Sequence, residues 1–331
     1  MRQFLPILVL LTSLVSCRRQ ETMESLTERV FRRAHAQLTA MDSQLDGRTT
    51  PRSFENGRFI SAGIRWWCSG FYPGSLWYVY EYTGDEAVRA LAEKHTLRLD
   101  SIQWVTNDHD VGFQLNCSYG NALRLTGDDR YRPVLRQGAL SLATRFSPVT
   151  GTLRSWDFVR KGRDWQFPVI IDNMMNLELL LSVAEAYGDD SLREIACTHA
   201  NTTMRNHFRE DCTCFHLVDY SPEDGAVRSR QTVQGYADAS AWARGQAWAL
   251  YGYTMMFRKT GYQSYFTQAS RVANMLADRL PADGIPYWDF DAPEIPDAPR
   301  DASAAAIMAS AFIELSQYVL EDADRDRYLA T

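Results

Sequence analysis

A chain of 331 residues, 45% hydrophobic and 23% charged, can bury a large core, and no Pro/Ser-rich or single-charge tract marks a linker. A formal net charge of -6 offers no basic stripe to a phosphate backbone, which argues against nucleic acid as a partner. Nine Trp and sixteen Tyr are many; flat amphipathic rings suit sugar clefts, and they serve cores and interfaces as well.

The first seventeen residues read as an address. Arg2 precedes an apolar run from Phe4 to about Val15, too short to span a bilayer as a mature helix, and Leu14-Val15-Ser16-Cys17 resembles a bacterial lipoprotein cleavage box. On that reading Cys17 is the lipid-bearing first residue of a periplasm-facing protein, anchored to a membrane of the bacterial cell envelope. An ordinary signal peptide with an incidental Cys is the alternative. Residues 18–331 then form a single domain.

Helix follows helix from there. The spacing of apolar residues predicts helices near 24–41, 71–83, 86–104, 110–125, 128–146, 172–187, 190–208, 239–258, 262–280 and 302–319, with another opening near 323. "EYTGDEAVRAL", "RLTGDDRYRPVL", "AYGDDSLREIA" and "RKTGYQSYFTQA" each close one helix at Gly84, Gly127, Gly188 or Gly261 and open another almost at once. Glycine supplies the left-handed stop, and an Asp just after it can cap the next start. Strand signals are confined to about 213–220 and 226–233, a hairpin around "SPEDG". The pattern fits an all-α toroid, an α/α barrel with one short β-hairpin.

The unusual residues fall in the loops and helix starts that such a ring gathers at one end. "NDHDVGF" sets Asp108, His109 and Asp110 at a helix start, and "VIIDNMMNLELLL" sets Asp172, Asn173 and Asn176 among Ile and Met. "RSWDFVRKGRDW" carries Trp156 and Trp165, "FHLVD" carries His216, and "YWDFDAPEIPDAPRD" carries Trp288 and Asp289. "QGYADASAWARGQAW" holds Gln234, Trp242, Arg244 and Trp248, with Arg244 and Trp248 one helical turn apart. Taken singly, most have a structural reading: Asp172 as an N-cap, Asp110 as a complement to a helix dipole, His216 as a satisfied core residue, any one Trp as packing. Arg244 is harder to dismiss, because a buried Arg among aromatics needs an anion or a carboxylate partner.

Cys68, Cys117, Cys197, Cys212 and Cys214 are an odd number with no paired metal spacing. In an extended strand Cys212 and Cys214 would merely share a face. The six His also lack a ligand arrangement, so neither a metal nor another cofactor is expected.

From about residue 24 onward the chain resembles the unsaturated glucuronyl hydrolases of glycoside hydrolase family 88. The matching segments are "WWCSGFYPGSLW", "HDVGFQ", "VIIDNMMNL", "QGYADASAWARGQAWALYG", "DGIPYWDFDAP" and "RDASAAAI". The resemblance implies an (α/α)6 barrel and an enzyme that removes a 4,5-unsaturated uronic acid from the non-reducing end of lyase-generated oligosaccharides. It also implies that Asp172 is the acid/base and Asp110 its essential partner, with Trp67, Trp156, His216, Gln234, Trp242, Arg244, Trp248 and Trp288 around the sugar. Three alternatives stand beside it. One is an unsaturated rhamnogalacturonyl hydrolase on the same barrel. Another is a lipoprotein that only binds acidic oligosaccharides, which explains the Trp and Arg residues but not Asp172. The third is a sugar epimerase. Twelve helices complete such a barrel, and the eleventh opens only near "DADRDRYLAT". The expectation is therefore a C-terminally short chain without its final helix, or a short member that closes its ring by dimerising or with its N-terminal helix.

Overall fold

A computed structural model describes residues 22–45, 47–158 and 160–331. The leader and Cys17 lie outside the described residues. Twelve α-helices run through the rest, in chain order α1 (Met23–Asp42), α2 (Phe71–Thr83), α3 (Glu86–Leu97), α4 (Val111–Leu115), α5 (Asn121–Thr126) and α6 (Arg132–Ala143). They continue as α7 (Leu177–Tyr187), α8 (Asp190–Asn206), α9 (Ala243–Thr260), α10 (Gln263–Arg279), α11 (Ala302–Ser316) and α12 (Asp322–Ala330).

Burial separates two layers. Helices α7 and α9 are apolar nearly all round and bury most of their residues, whereas α1 fully buries none. The first group, α2, the α4–α5 pair, α7, α9 and α11, pack each against the next. The other six flank them, giving the α/α toroid expected from the sequence. Its hairpins turn as expected too: Gly84, Gly127, Gly188 and Gly261 have φ of 67°, 67°, 64° and 70°. Asp85, Asp128 and Asp189 then cap the following starts by accepting the backbone N–H of Ala87, Arg130 and Ser191.

Several predicted helices are broken or shortened. The stretch 86–104 stops at Leu97 and resumes as a 3-10 turn, Asp100–Trp104; 110–125 contains a π-helical turn, Asn116–Gly120; and 128–146 opens as a 3-10 turn and ends at Ala143. The stretch 172–187 begins as the 3-10 turn Ile171–Asn176, and 239–258 becomes helical only at Ala243, because Trp242 pairs with Asp289 in a β-bridge.

Strands are more numerous than the one hairpin expected. Antiparallel pairs form from β1 (Thr49–Glu55) with β2 (Arg58–Gly63) and from β3 (Phe146–Ser147) with β4 (Thr152–Leu153). The predicted hairpin exists as β6 (Leu217–Tyr220) and β7 (Val227–Gln231), and β5 (Phe167–Ile170) joins it as a third strand. Pro168 conceals β5 in the sequence, Pro51 does the same for β1, and two-residue strands leave no alternation to read. Cys212 is not in a strand: its φ is 69°, in a turn whose N–H bonds Arg209 O. No disulfide links the five described cysteines.

One contact sets how closely the two Asp-bearing segments approach. Gly112, two residues after Asp110, lies against Asn176, and a Cβ there would stand 2.5 Å from Asn176 Cα. Gly112→Ala must therefore push α4 away from the Ile171–Asn176 turn. We expect a cost of about 1–3 kcal/mol in thermal or denaturant unfolding, with a loss of turnover greater than that destabilisation alone would cause. Wild-type stability and turnover in this variant would show that the contact has slack.

Candidate active site

Asp172 follows β5 at the start of the Ile171–Asn176 turn, and two anchors hold it there. Ile170 N–H donates to Ser155 Oγ at 2.9 Å, and Ile171 N–H to His216 O at 2.9 Å. The side chain is 13% exposed, makes no capping bond, and leaves Oδ2 without a hydrogen-bond partner. The N-cap reading is thereby overturned. Burial pushes the carboxyl up to about 6; Arg244 and His109 draw it down, and Asp110 pushes it up again.

His216 faces it, with Nε2 3.7 Å from Asp172 Oδ2. The N–H groups of Val233 and Gln234 approach His216 Nδ1 at 2.9 and 3.3 Å. Only a lone pair can receive them, so Nδ1 is unprotonated and the neutral ring carries its proton on Nε2, towards Asp172. Burial, helped by Arg244, brings this imidazole down to about 3, which keeps it neutral.

Arg244, in the first turn of α9, stacks over Trp242 with its guanidinium carbon 4.6 Å from the ring centroid. Its Nη2 donates to Gln234 Oε1 at 2.9 Å, and its Nη1 donates to Asp301 Oδ2 at 3.1 Å and Ser303 Oγ at 3.3 Å. Trp242 in turn lies 4.6 Å from the His216 ring. Trp248 follows Arg244 one turn along α9, as the helical spacing has it. It packs edge-on to Phe113 at 5.1 Å, and Phe113 does the same to Trp67 at 5.9 Å, making an aromatic wall.

Asp110 precedes α4 and makes no capping bond either. Its own N–H donates to Asp108 Oδ1 at 3.0 Å, and burial, reinforced by Asp108, holds its carboxyl well above the usual carboxylate range. Trp156 is tied to this corner through a β-bridge with Asp108, and its ring stacks on Phe158 at 4.9 Å. The indole N–H groups of Trp156 and Trp248 are buried without partners, two more donors free for a ligand. Trp288 joins the site through its backbone: its carbonyl accepts from Ala243 N–H at 3.1 Å, beside Trp242.

One trio of potential metal donors occurs among the described residues, Asp108, His109 and Asp110, whose ligand atoms lie within 4.8 Å of one another. Asp108 Oδ1 is taken by the Asp110 N–H, and burial favours the protonated form of the Asp110 carboxyl, a poor donor set for a cation.

The model of Glycosyl Hydrolase Family 88 matches residues 33–321. The chain belongs to that family. It is 46% identical over 255 residues to an unsaturated glucuronyl hydrolase of Formosa agariphila, a match covering 76% of this chain and 63% of that relative's length. A solved unsaturated glucuronyl hydrolase specific for heparin superposes with a TM-score of 0.87 at 44% identity, covering 91% of this chain and 81% of the other. Another, a Streptococcus agalactiae Asp→Asn mutant complexed with dGlcA-GalNAc6S, gives 0.77 at 28% identity, covering 93% and 77%.

Within this family 88 fold, the inner helix starts and the ends of the β6–β7 hairpin bring Asp172, Asp110, His216, Arg244, Gln234 and Trp242 together, with Trp67, Trp156 and Trp248 as the surrounding aromatic surface. Two groups escaped the sequence reading, Asp301 and Phe113, and a third, Asp289, was marked by the sequence without a role. Asp301, the α11 N-cap that accepts from Ala304 N–H at 2.9 Å, also holds Arg244. Phe113 joins Trp67 to Trp248. Asp289 organises the 236–240 loop by accepting from Tyr236 N–H and Ser240 Oγ. An Asp followed two residues later by Ser is a cap signal in "RDASAAAI", but only the fold reveals its second partner.

Proposed function

We propose that this family 88 chain removes a 4,5-unsaturated uronic acid from the non-reducing end of lyase-generated oligosaccharides by hydrating the C4=C5 enol ether. One observation carries the reading: a buried carboxyl, Asp172, holds its proton to about pH 6 and turns an unpartnered oxygen towards a neutral histidine and an arginine. Asp172 delivers its proton to C4, and positive charge develops at C5, shared with the ring oxygen. As a carboxylate it then takes a proton from water adding at C5. The resulting hemiketal opens, the C1 hemiacetal expels the aglycone, and no nucleophile attacks the anomeric carbon. The carboxyl spacing that separates retaining from inverting glycosidases therefore does not apply.

Around this step Arg244, braced by Gln234 and Asp301, offers charge to the substrate carboxylate, and His216 offers its Nε2–H to the water. The indoles of Trp67, Trp156 and Trp248 supply apolar faces and exclude solvent. The relatives' identities as unsaturated glucuronyl hydrolase and unsaturated chondroitin disaccharide hydrolase support this reading over the rhamnogalacturonyl, binding-only and epimerase alternatives. A panel of lyase-generated disaccharides, followed by loss of the conjugated chromophore, tests it. Aglycone release from a glycosaminoglycan-derived disaccharide is expected; turnover of pectin-derived substrates alone would favour the rhamnogalacturonyl alternative.

The pH profile follows from Asp172. Its protonated form is the catalyst, so kcat/KM should be sustained below about pH 6 and fall roughly tenfold per unit above it. A profile flat from pH 5 to 8 would separate the essential acid from Asp172.

We also propose that the chain is a lipoprotein of the bacterial envelope, anchored through Cys17; the cleavage-box resemblance of Leu14-Val15-Ser16-Cys17 supports this. In a bacterial host the wild-type chain should partition with membranes and incorporate labelled fatty acid, and Cys17→Ala should do neither. A soluble, unlabelled wild-type chain would favour a plain signal peptide.

A further inference from the structure

His109 stands buried behind Asp110, and neither the family resemblance nor the chemistry above gives it a part. Its surroundings settle which ring nitrogen carries the proton. Phe113 N–H donates to Asn176 Oδ1 at 2.8 Å. Only the oxygen end of that amide can accept, so the NH2 end is the one turned to His109, with Nδ2 3.4 Å from His109 Nδ1. An amide NH2 only donates, so Nδ1 accepts with its lone pair and the neutral ring keeps its proton on Nε2. That Nε2 lies 3.5 Å from Asp110 Oδ1. The arrangement has little slack, because a Cβ on Gly112 would stand 2.6 Å from the same Asn176 Oδ1.

We infer that His109 is the positioning residue for Asp110: its Nε2–H marks Oδ1 as the accepting oxygen and leaves Oδ2 to carry or exchange the proton and to meet the substrate. The inference rests on the acid/base reading of the Asp172 and Asp110 pair. The line of contacts runs from the α4 backbone through Asn176 and His109 to the carboxyl, so on this inference the helix that presents Asp110 also selects which of its oxygens is active. Asp108, Asp110, Asp172, Arg145, Asn173 and Asn176 are the charged and amide groups that face the ring. Burial holds the imidazole below its usual range, so the neutral form persists through neutral pH.

The test uses the full chain with 15N-labelled histidine, His109→Gln assigning the resonances among the six His. His109 should give the ring shifts of a neutral Nε2–H tautomer at pH 7 to 8; an Nδ1–H tautomer overturns the inference. In parallel, His109→Phe should lower kcat about 10- to 100-fold with little change in KM and displace the pH profile. His109→Gln places an amide N–H near the imidazole Nε2 position and should recover kcat to within a few-fold. Wild-type kcat and pH profile in the Phe variant, or equal loss in both variants, would reduce His109 to packing. If His109→Phe does not fold, the tautomer and the Gln variant still decide. A wild-type chain that releases nothing from unsaturated disaccharides would defeat the proposed function and leave the tautomer result standing.

Discussion

Asp172→Asn should fold, melt no lower than wild type, and lose turnover by about 10²–10⁴-fold. The amide matches the carboxyl in size, and no capping bond or Oδ2 hydrogen bond is lost with it. The stability half of the expectation comes from linkage. The native carboxyl holds its proton to about pH 6 against a usual 3.8, so between those values the native state binds more protons than the unfolded chain. Stability therefore falls as pH rises through that window, and above it the ionised carboxylate costs up to about 3 kcal/mol. Asn removes that cost. Thermal melting at pH 5 and pH 8 measures it: the gain over wild type should be larger at pH 8. An active variant would remove Asp172 from the chemistry, and a strongly destabilised one would mean that its role is structural.

Asp110→Asn should lower turnover by about 10²-fold or more, the low end of what a positioned acid or base contributes. Asn can donate from one fixed end but cannot exchange a proton with its surroundings. The substitution also removes a carboxyl whose ionised form raises the Asp172 carboxyl. The limb of the pH profile above about 6 should accordingly move to lower pH. Turnover near wild type would make Asp110 dispensable. A lowered rate with an unmoved limb would confine it to substrate contact.

Much of this was legible in the sequence because periodicity and punctuation are local signals. The Gly and Gly-Asp junctions at 84, 127, 188 and 261 mark hairpins by themselves, since a left-handed stop and a side-chain cap are properties of a few neighbouring residues. Asp172 could be singled out because a carboxylate among Ile and Met is anomalous wherever the chain goes. The misread parts depend on distant partners. Helix 239–258 starts four residues late because Trp242 is held by Asp289, 47 residues away in the chain, and β5 exists because Leu217–Tyr220 comes to lie beside it. Helical spacing put Arg244 and Trp248 one turn apart in α9 but could not show that Gln234 and Asp301 set the direction of Arg244, or that it stacks on Trp242. His109 was noted only as part of a helix start, because its orienting bonds come from Asn176 on another segment.

The same distinction orders the site's electrostatics. Each Asp has a neutral histidine beside it, His216 near Asp172 and His109 near Asp110, and each ring's tautomer is fixed by donors approaching its Nδ1. Donor-lined, partly buried carboxyls of this kind need no reorganisation when charge develops on the substrate, which is the electrostatic preorganisation on which acid catalysis at mild pH depends.

The central claim is that Asp172 protonates C4, so the most direct measurement is turnover of an unsaturated disaccharide in D2O with NMR analysis of the uronate product. Aglycone release should coincide with one deuteron at C4, delivered to a single face, and Asp172→Asn should abolish both together. A released sugar that still carries the C4=C5 bond, or one deuterated at C4 without facial preference, would contradict the account.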